Sequence, residues 1–261
     1  MNNEILYRAE SKVATITINR PESYNSITTA VFSEMVRAFE YANNDSSVKC
    51  IVLTGKGKAF SSGAHLAKGE LEAALAPETL YRNMKGQLNP FIRTITRNQK
   101  PVIAAVNGPC AGVMAGIALA CDLIIASESA YFLFPFVNIG LSIDGGPGYF
   151  LTRLIGPKKG MELLLLGERV NAKQALALGM INKVVPSDTF DEEINSLSKK
   201  LAYGPYSQSL IKNLVNQALD MTLDDYLDIE AEYQYFATGS KDAKEGINAF
   251  IEKRKPRFES K

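Results

Sequence analysis

The chain has 261 residues, 46% hydrophobic and 22% charged, with a formal net charge of +1. That suits one sizeable core and argues against a nucleic-acid surface, although local basic patches can still hold an anionic small molecule. Cys50, Cys110 and Cys121 form no CxxC pair and His65 is the sole histidine, so a disulfide framework, a histidine-based zinc site and a Ser-His-Asp triad are all disfavoured.

Val13-Ala-Thr-Ile-Thr-Ile18 alternates with period two and stops at Asn19-Arg-Pro21, which predicts a strand and a turn. Thr28 or Thr29 then caps a helix over 30–42, where Val31, Met35, Phe39 and Ala42 recur at helical spacing. Cys50-Ile-Val-Leu-Thr54, Pro101-Val-Ile-Ala-Ala-Val106 and Leu123-Ile-Ile-Ala126 are continuous apolar runs and read as buried strands. The segment 67–98 is helix-rich but interrupted by Pro77, Gly86 and Pro90, which predicts a mobile loop and a broken helix. Helices are expected over 113–120, 147–154, 157–166 and 172–178, with a last short strand ending at Val184-Val185-Pro186. From 190 onward the pattern is purely helical (190–203, 205–220, 223–238 and 241–254), punctuated by Gly204-Pro205 and Gly239-Ser240. The domains expected are a core over 1–189 and a helical module over 190–261. No apolar run approaches a membrane span and no signal-like start is present, so a soluble, cytoplasmic protein is expected.

Three segments carry chemistry. Gly140-Leu-Ser-Ile-Asp144-Gly-Gly-Pro-Gly148 sets one carboxylate in a glycine-rich turn downstream of Phe132, Phe134 and Phe136. Apolar surroundings disfavour its charged form and raise its pKa toward the range useful for proton transfer. Two small-residue turns, Ser62-Gly63-Ala64-His65 and Ala111-Gly112-Val113-Met114, can present backbone N–H groups to an anionic oxygen, the second at the start of a helix. Taken singly, each turn also reads as a plain structural turn, and Asp144 as a helix N-cap.

The motifs Asn19-Arg-Pro21, Gly57-Lys-Ala-Phe-Ser-Ser-Gly-Ala64, Lys100-Pro-Val-Ile-Ala-Ala-Val-Asn-Gly108, Cys121-Asp122, Leu154-Ile-Gly-Pro157, Ala175-Leu-Ala-Leu-Gly179 and Glu245-Gly-Ile-Asn-Ala-Phe250-Ile-Glu-Lys253-Arg occur in an order that resembles the crotonase (enoyl-CoA hydratase/isomerase) superfamily over essentially the full length. The resemblance implies an α/β fold, a crotonase/ClpP-like spiral of ββα units with a C-terminal all-helical trimerisation module, assembling as a homotrimer or homohexamer. It implies an acyl-CoA thioester as substrate, no metal and no cofactor, and no nucleic-acid or membrane partner. Ala64 and Val113 would form the oxyanion hole. Lys58, Ser62, Ala64, Leu66, Phe250 and Lys253 would contact CoA, and Met114, Phe132, Phe134 and Phe136 would line the acyl pocket.

Hydratases of the superfamily resemble one another in two water-holding glutamates, and this chain has Gly116 and Phe136 at the matching positions. Asp144 instead resembles the single acid of Δ3,Δ2-enoyl-CoA isomerases and of ring-epoxide isomerases acting on phenylacetyl-CoA derivatives. The resemblance therefore implies an isomerase with Asp144 as catalytic acid/base. The alternatives are a hydratase using Glu70 or Glu72 with Asp144, a 4-chlorobenzoyl-CoA dehalogenase-like enzyme, and a CoA-binding scaffold without catalysis. The dehalogenase would need a histidine where this chain offers Asn89, Arg93 and Arg97. His65 is expected to be structural, satisfied by a neighbouring backbone group.

Overall fold

The computed structural model describes residues 3–65 and 76–259. A six-stranded sheet forms its centre, in the order β1 (Ile5–Glu10), β2 (Val13–Ile18), β3 (Cys50–Gly55), β4 (Val102–Val106), β6 (Leu123–Ser127), β9 (Lys183–Val185). The β1–β2 pair is an antiparallel hairpin and every other pairing is parallel. A second, three-stranded sheet runs β5 (Cys110–Ala111), β7 (Tyr131–Leu133), β8 (Arg169–Asn171). The apolar runs of β3 and β4 follow from burial on both faces. Ile51, Leu53, Ala104 and Val106 belong to the main core, while Cys50, Val52, Ile103 and Ala105 face a second cluster.

Helix α1 (Thr29–Asn44) covers the first face through Val31, Met35, Phe39 and Ala42. Its N-cap is Thr28, whose Oγ1 accepts from the Val31 amide at 3.2 Å. The expected broken helix is a nearly continuous helical path, α2 (Pro77–Asn83), a π turn (Met84–Leu88) and α3 (Asn89–Thr96). Pro77 and Pro90 fall at the amino ends of α2 and α3, where a missing N–H costs little. The loop expected before it lies mostly within 66–75, outside the described residues. Then follow α4 (Val113–Ala120), α5 (Pro147–Ile155), α6 (Pro157–Leu166) and α7 (Ala172–Ala177).

The C-terminal helices are α8 (Phe190–Ala202), α9 (Ser207–Gln217), α10 (Leu223–Gly239) and α11 (Lys241–Ile251). Helix α8 closes the sheet's second face with Phe190, Ile194 and Ala202. Helix α9 is clamped to the core by Lys212, whose Nζ donates to Asp122 Oδ2 at 2.7 Å and to the carbonyls of Ile95 and Lys100. Asp122 also accepts from the Val102 amide at 2.7 Å, and burial still outweighs Lys212 in raising its pKa. By contrast α10 buries no residue, and Leu227, Tyr235, Phe236, Phe250 and Ile251 stand exposed on α10 and α11. No helix among the described residues is long and apolar enough to cross a membrane.

Candidate active site

Beyond the carboxyl end of β3 the chain makes two isolated parallel bridges, Ile27 with Ala64 and Ser61 with Cys110. They fix the first turn between α1 and the second sheet. The Ile27 amide donates to the Gly63 carbonyl and the His65 amide to the Ile27 carbonyl, both at 2.8 Å. The Ala64 amide between them donates to nothing among the described residues.

The second turn follows β4 and β5. Gly112 has φ 58°, ψ −135°, a conformation that suits glycine, and it turns the chain directly into α4 with Val113 as its first residue. A helix leaves its first amides without intrahelical acceptors, and the Val113 amide has no partner among the described residues. The turns are stacked: a Cβ built on Gly63 would lie 2.9 Å from the Ala111 carbonyl oxygen, and one on Gly112 3.8 Å from the Gly63 Cα.

Asp144 is carried to the same place by a glycine contact. A Cβ on Gly116 would meet the Gly145 carbonyl oxygen at 2.6 Å, and one on Gly145 would meet the Val113 carbonyl oxygen at 3.0 Å. The turn bearing Asp144 therefore lies directly on the first turns of α4, in space that a side chain at 116 would need. Asp144 does not cap a helix. The N-cap of α5 is Gly146, without a side-chain hydrogen bond. The Asp144 Oδ1 is buried with no hydrogen-bond partner among the described residues, and desolvation pushes the carboxyl up to about 6. A carboxylate with no structural duty and a pKa near neutrality fits proton transfer.

Ala64, Val113 and Asp144 together line one cavity of about 140 Å³. Its other walls are Ile27, Thr28, Thr29 and Phe32 at the head of α1, and Leu80, Asn83, Met84, Gln87 and Leu88 along α2 and the π turn. The sequence reading missed these wall residues. A four-residue repeat (80, 84, 88 and 83, 87) was the available signal, but it resembles an ordinary core stripe.

The four residues expected at the acyl pocket sit deeper in the chain. Met114, Phe132 and Phe134 are fully buried and Phe136 nearly so, all in the main core, and none lines this cavity. Large aromatics flanked by β5, β7 and α4 have more apolar area to bury inside the spiral than at its mouth. Neither Gly116 nor Phe136 offers a side-chain group that could hold water. His65 accepts or donates through Nδ1 to the Ser26 hydroxyl at 2.9 Å, so its partner is a side chain and not the backbone group expected. Arg93 and Arg97 line a separate cleft, away from Asp144. Asn89 does not line the Asp144 cavity.

Of the expected CoA contacts, Lys58 is exposed on the turn after β3. Ser62 gives its amide to the Tyr24 carbonyl at 2.9 Å, and its own carbonyl accepts nothing among the described residues. Phe250 on α11 is 86% exposed, and Lys253 follows that helix at φ 54°. Neither lines the Asp144 cavity. Leu66, Glu70 and Glu72 lie outside the described residues.

Comparison with known proteins shows the family and the fold. The chain is 37% identical over 258 residues to 1,2-epoxyphenylacetyl-CoA isomerase of Escherichia coli K12, covering 98% of both chains. It is 34% identical over 261 residues to trans-2-decenoyl-[acyl-carrier-protein] isomerase of Streptococcus mutans, covering 99% of this chain and 98% of that one. Among solved structures, an enoyl-CoA hydratase subunit I of Geobacillus kaustophilus HTA426 superposes with a TM-score of 0.91 at 38% identity, over 99% of this chain and 98% of the other. The fold of that structure and the two-sheet α/β arrangement described above are therefore the same. Residues 8–261 match the profile described as enoyl-CoA hydratase/isomerase, and with this agreement of sequence and fold the chain belongs to the enoyl-CoA hydratase/isomerase family.

Proposed function

We propose that the protein is an acyl-CoA isomerase in which Asp144 alone moves a proton between two carbons of the acyl group. The observation that carries this reading is the convergence, on one small cavity, of a partnerless carboxyl of raised pKa with the residues bearing two free amides. The Ala64 and Val113 amides would hold the thioester oxygen as it gains enolate charge, an interaction that grows in the transition state. Asp144 would take a proton from one end of the allylic system, and the same carboxyl would return it at the other end. A 1,3-proton shift needs one base, no added water and no redox partner, so the reaction draws on no cofactor.

Gly116 and Phe136 support isomerisation over hydration, since addition of water normally calls for a second polar group to hold the nucleophile. Asp144 is the only acid among the described residues of the cavity wall. The names of the E. coli and S. mutans relatives favour the same choice, and that of the Geobacillus structure favours hydration. The acyl group would be a fatty chain or a ring from aromatic-acid degradation. The exposed apolar side chains of α10 and α11 would meet neighbouring subunits in a homotrimer or homohexamer, with Lys58, Ser62, Phe250 and Lys253 around the CoA moiety.

Parallel assays with 3-hexenoyl-CoA, crotonyl-CoA and a ring-epoxide thioester test the proposal. Appearance of conjugated enoyl absorbance from the first is expected; conversion of the third alone would replace the proton shift with a ring isomerisation. Rapid loss of that absorbance from crotonyl-CoA with no isomerase activity would replace it with hydration.

A further inference from the structure

A second cleft lies at the other end of the strands. It measures about 660 Å³, in the range of small-molecule sites, and lies between the core and the α8–α9 connection. Lys49 precedes β3, Arg93 belongs to α3, Arg97, Asn98 and Lys100 precede β4, and Ser209 lies in the first turn of α9. Because β3 and β4 run parallel, these groups gather at the strands' amino ends, whereas Ala64 and Val113 follow their carboxyl ends. Six residues of extended chain separate the two places by ~20 Å.

Four cations line this cleft and, among the described residues, no Asp or Glu does. Lys100 is committed, donating through Nζ to the carbonyls of Ala42 and Asp45 at 2.6 and 2.7 Å. The nearby Asp45 carboxylate is taken up by Ser47. Lys49, Arg93 and Arg97 have no ion-pair partner among the described residues. Arg93 and Arg97 are four apart, so like charges share one flank of the segment; the helix-end dipole favours a cation there but does not balance three.

A second observation is independent of charge. Asn98 is only 3% exposed; its Oδ1 accepts from the Lys100 amide at 2.8 Å, while its Nδ2 is buried with no partner among the described residues. Buried donors nearly always have acceptors, and Asn98 is one of the residues lining this cleft. Helix α9 also opens here without a side-chain cap, although Asp242 accepts from the Tyr206 amide just before it.

We propose that this cleft is a second small-molecule site that binds the diphosphate group of a phosphorylated metabolite. Arginine forks suit phosphate oxygens, the Asn98 amide adds a neutral donor, and Lys49 supplies a further charge. The site is independent of thioester turnover.

Calorimetric titration of the full-length protein at low salt tests it, with inorganic pyrophosphate and ADP as separate probes. Both should bind, and Arg93→Gln/Arg97→Gln should weaken both at least tenfold while the melting temperature and thioester turnover stay unchanged. Asn98→Ala should weaken them less. ADP binding tenfold tighter than pyrophosphate would assign the site to a nucleotide, and equal binding to the diphosphate alone. Absence of binding by either probe at millimolar concentration would overturn the proposal. So would binding indifferent to the arginines, since ADP seated at the thioester site would ignore them.

Discussion

Replacing Asp144 by Asn separates catalysis from stability in one variant. Loss of the only acid among the described residues of the cavity should lower kcat/KM by ~10³-fold, within the span typical of general acid–base groups. Stability should move the other way. The carboxyl sits at about 6 in the folded chain against a reference value of 3.8, so folding opposes its ionisation. The folded pKa is the higher one, so the penalty is absent below pH 3.8, grows between the two values and is complete above about 6. A difference of about two pKa units corresponds to ~3 kcal/mol at pH 8, and ~1 kcal/mol survives at pH 4.5. Asp144 is half-buried, so solvent screening lowers the upper figure to ~1–2 kcal/mol, or a rise in Tm of roughly 3–6 °C. The assay is thermal melting of both proteins at pH 8 and pH 4.5, beside the 3-hexenoyl-CoA reaction. An Asp144→Asn variant that keeps turnover, or whose melting advantage is the same at both pH values, would refute the reasoning.

Val113→Pro should delete one oxyanion donor without breaking α4, because proline is favoured at the first helical position; a ~10²–10³-fold loss of kcat with Tm held is expected, against Val113→Ala as the packing control. Gly116→Ala would set a Cβ 2.6 Å from the Gly145 carbonyl oxygen and push that turn away, costing ~1–3 kcal/mol and lowering kcat more than it raises KM, which steady-state kinetics and melting would show. Lys212→Met leaves Asp122 buried and unpaired, so chemical denaturation should report a loss of ~3–5 kcal/mol, most of it recovered in Lys212→Met/Asp122→Asn.

Strands β2, β3, β4 and β6 and helices α1, α4, α5 and α6 were legible because their apolar residues repeat at periods of two or 3.6, or run unbroken where both faces are covered. The Thr28 cap and the two glycine turns were legible for the same local reason. Strands β1, β5, β7 and β8 carry too little pattern. Ile5–Glu10 buries only its first residue, and the short members of the second sheet are held by partners distant in sequence.

The sequence by itself determined which groups are available: one suitably placed carboxylate, two turns with open amides, and no glutamate at 116 or 136. Their meeting was decided by tertiary structure, through the Ile27–Ala64 bridge and the contact of Gly116 with Gly145. So was the burial of Phe132, Phe134 and Phe136 in the main core. Local pattern shows that an aromatic residue seeks burial, but only the packed chain shows whether it finds it in the core or at the wall of a site. Composition cannot foresee that Lys49, Arg93 and Arg97 share a cleft, because segments about forty residues apart come together there only when parallel strands align.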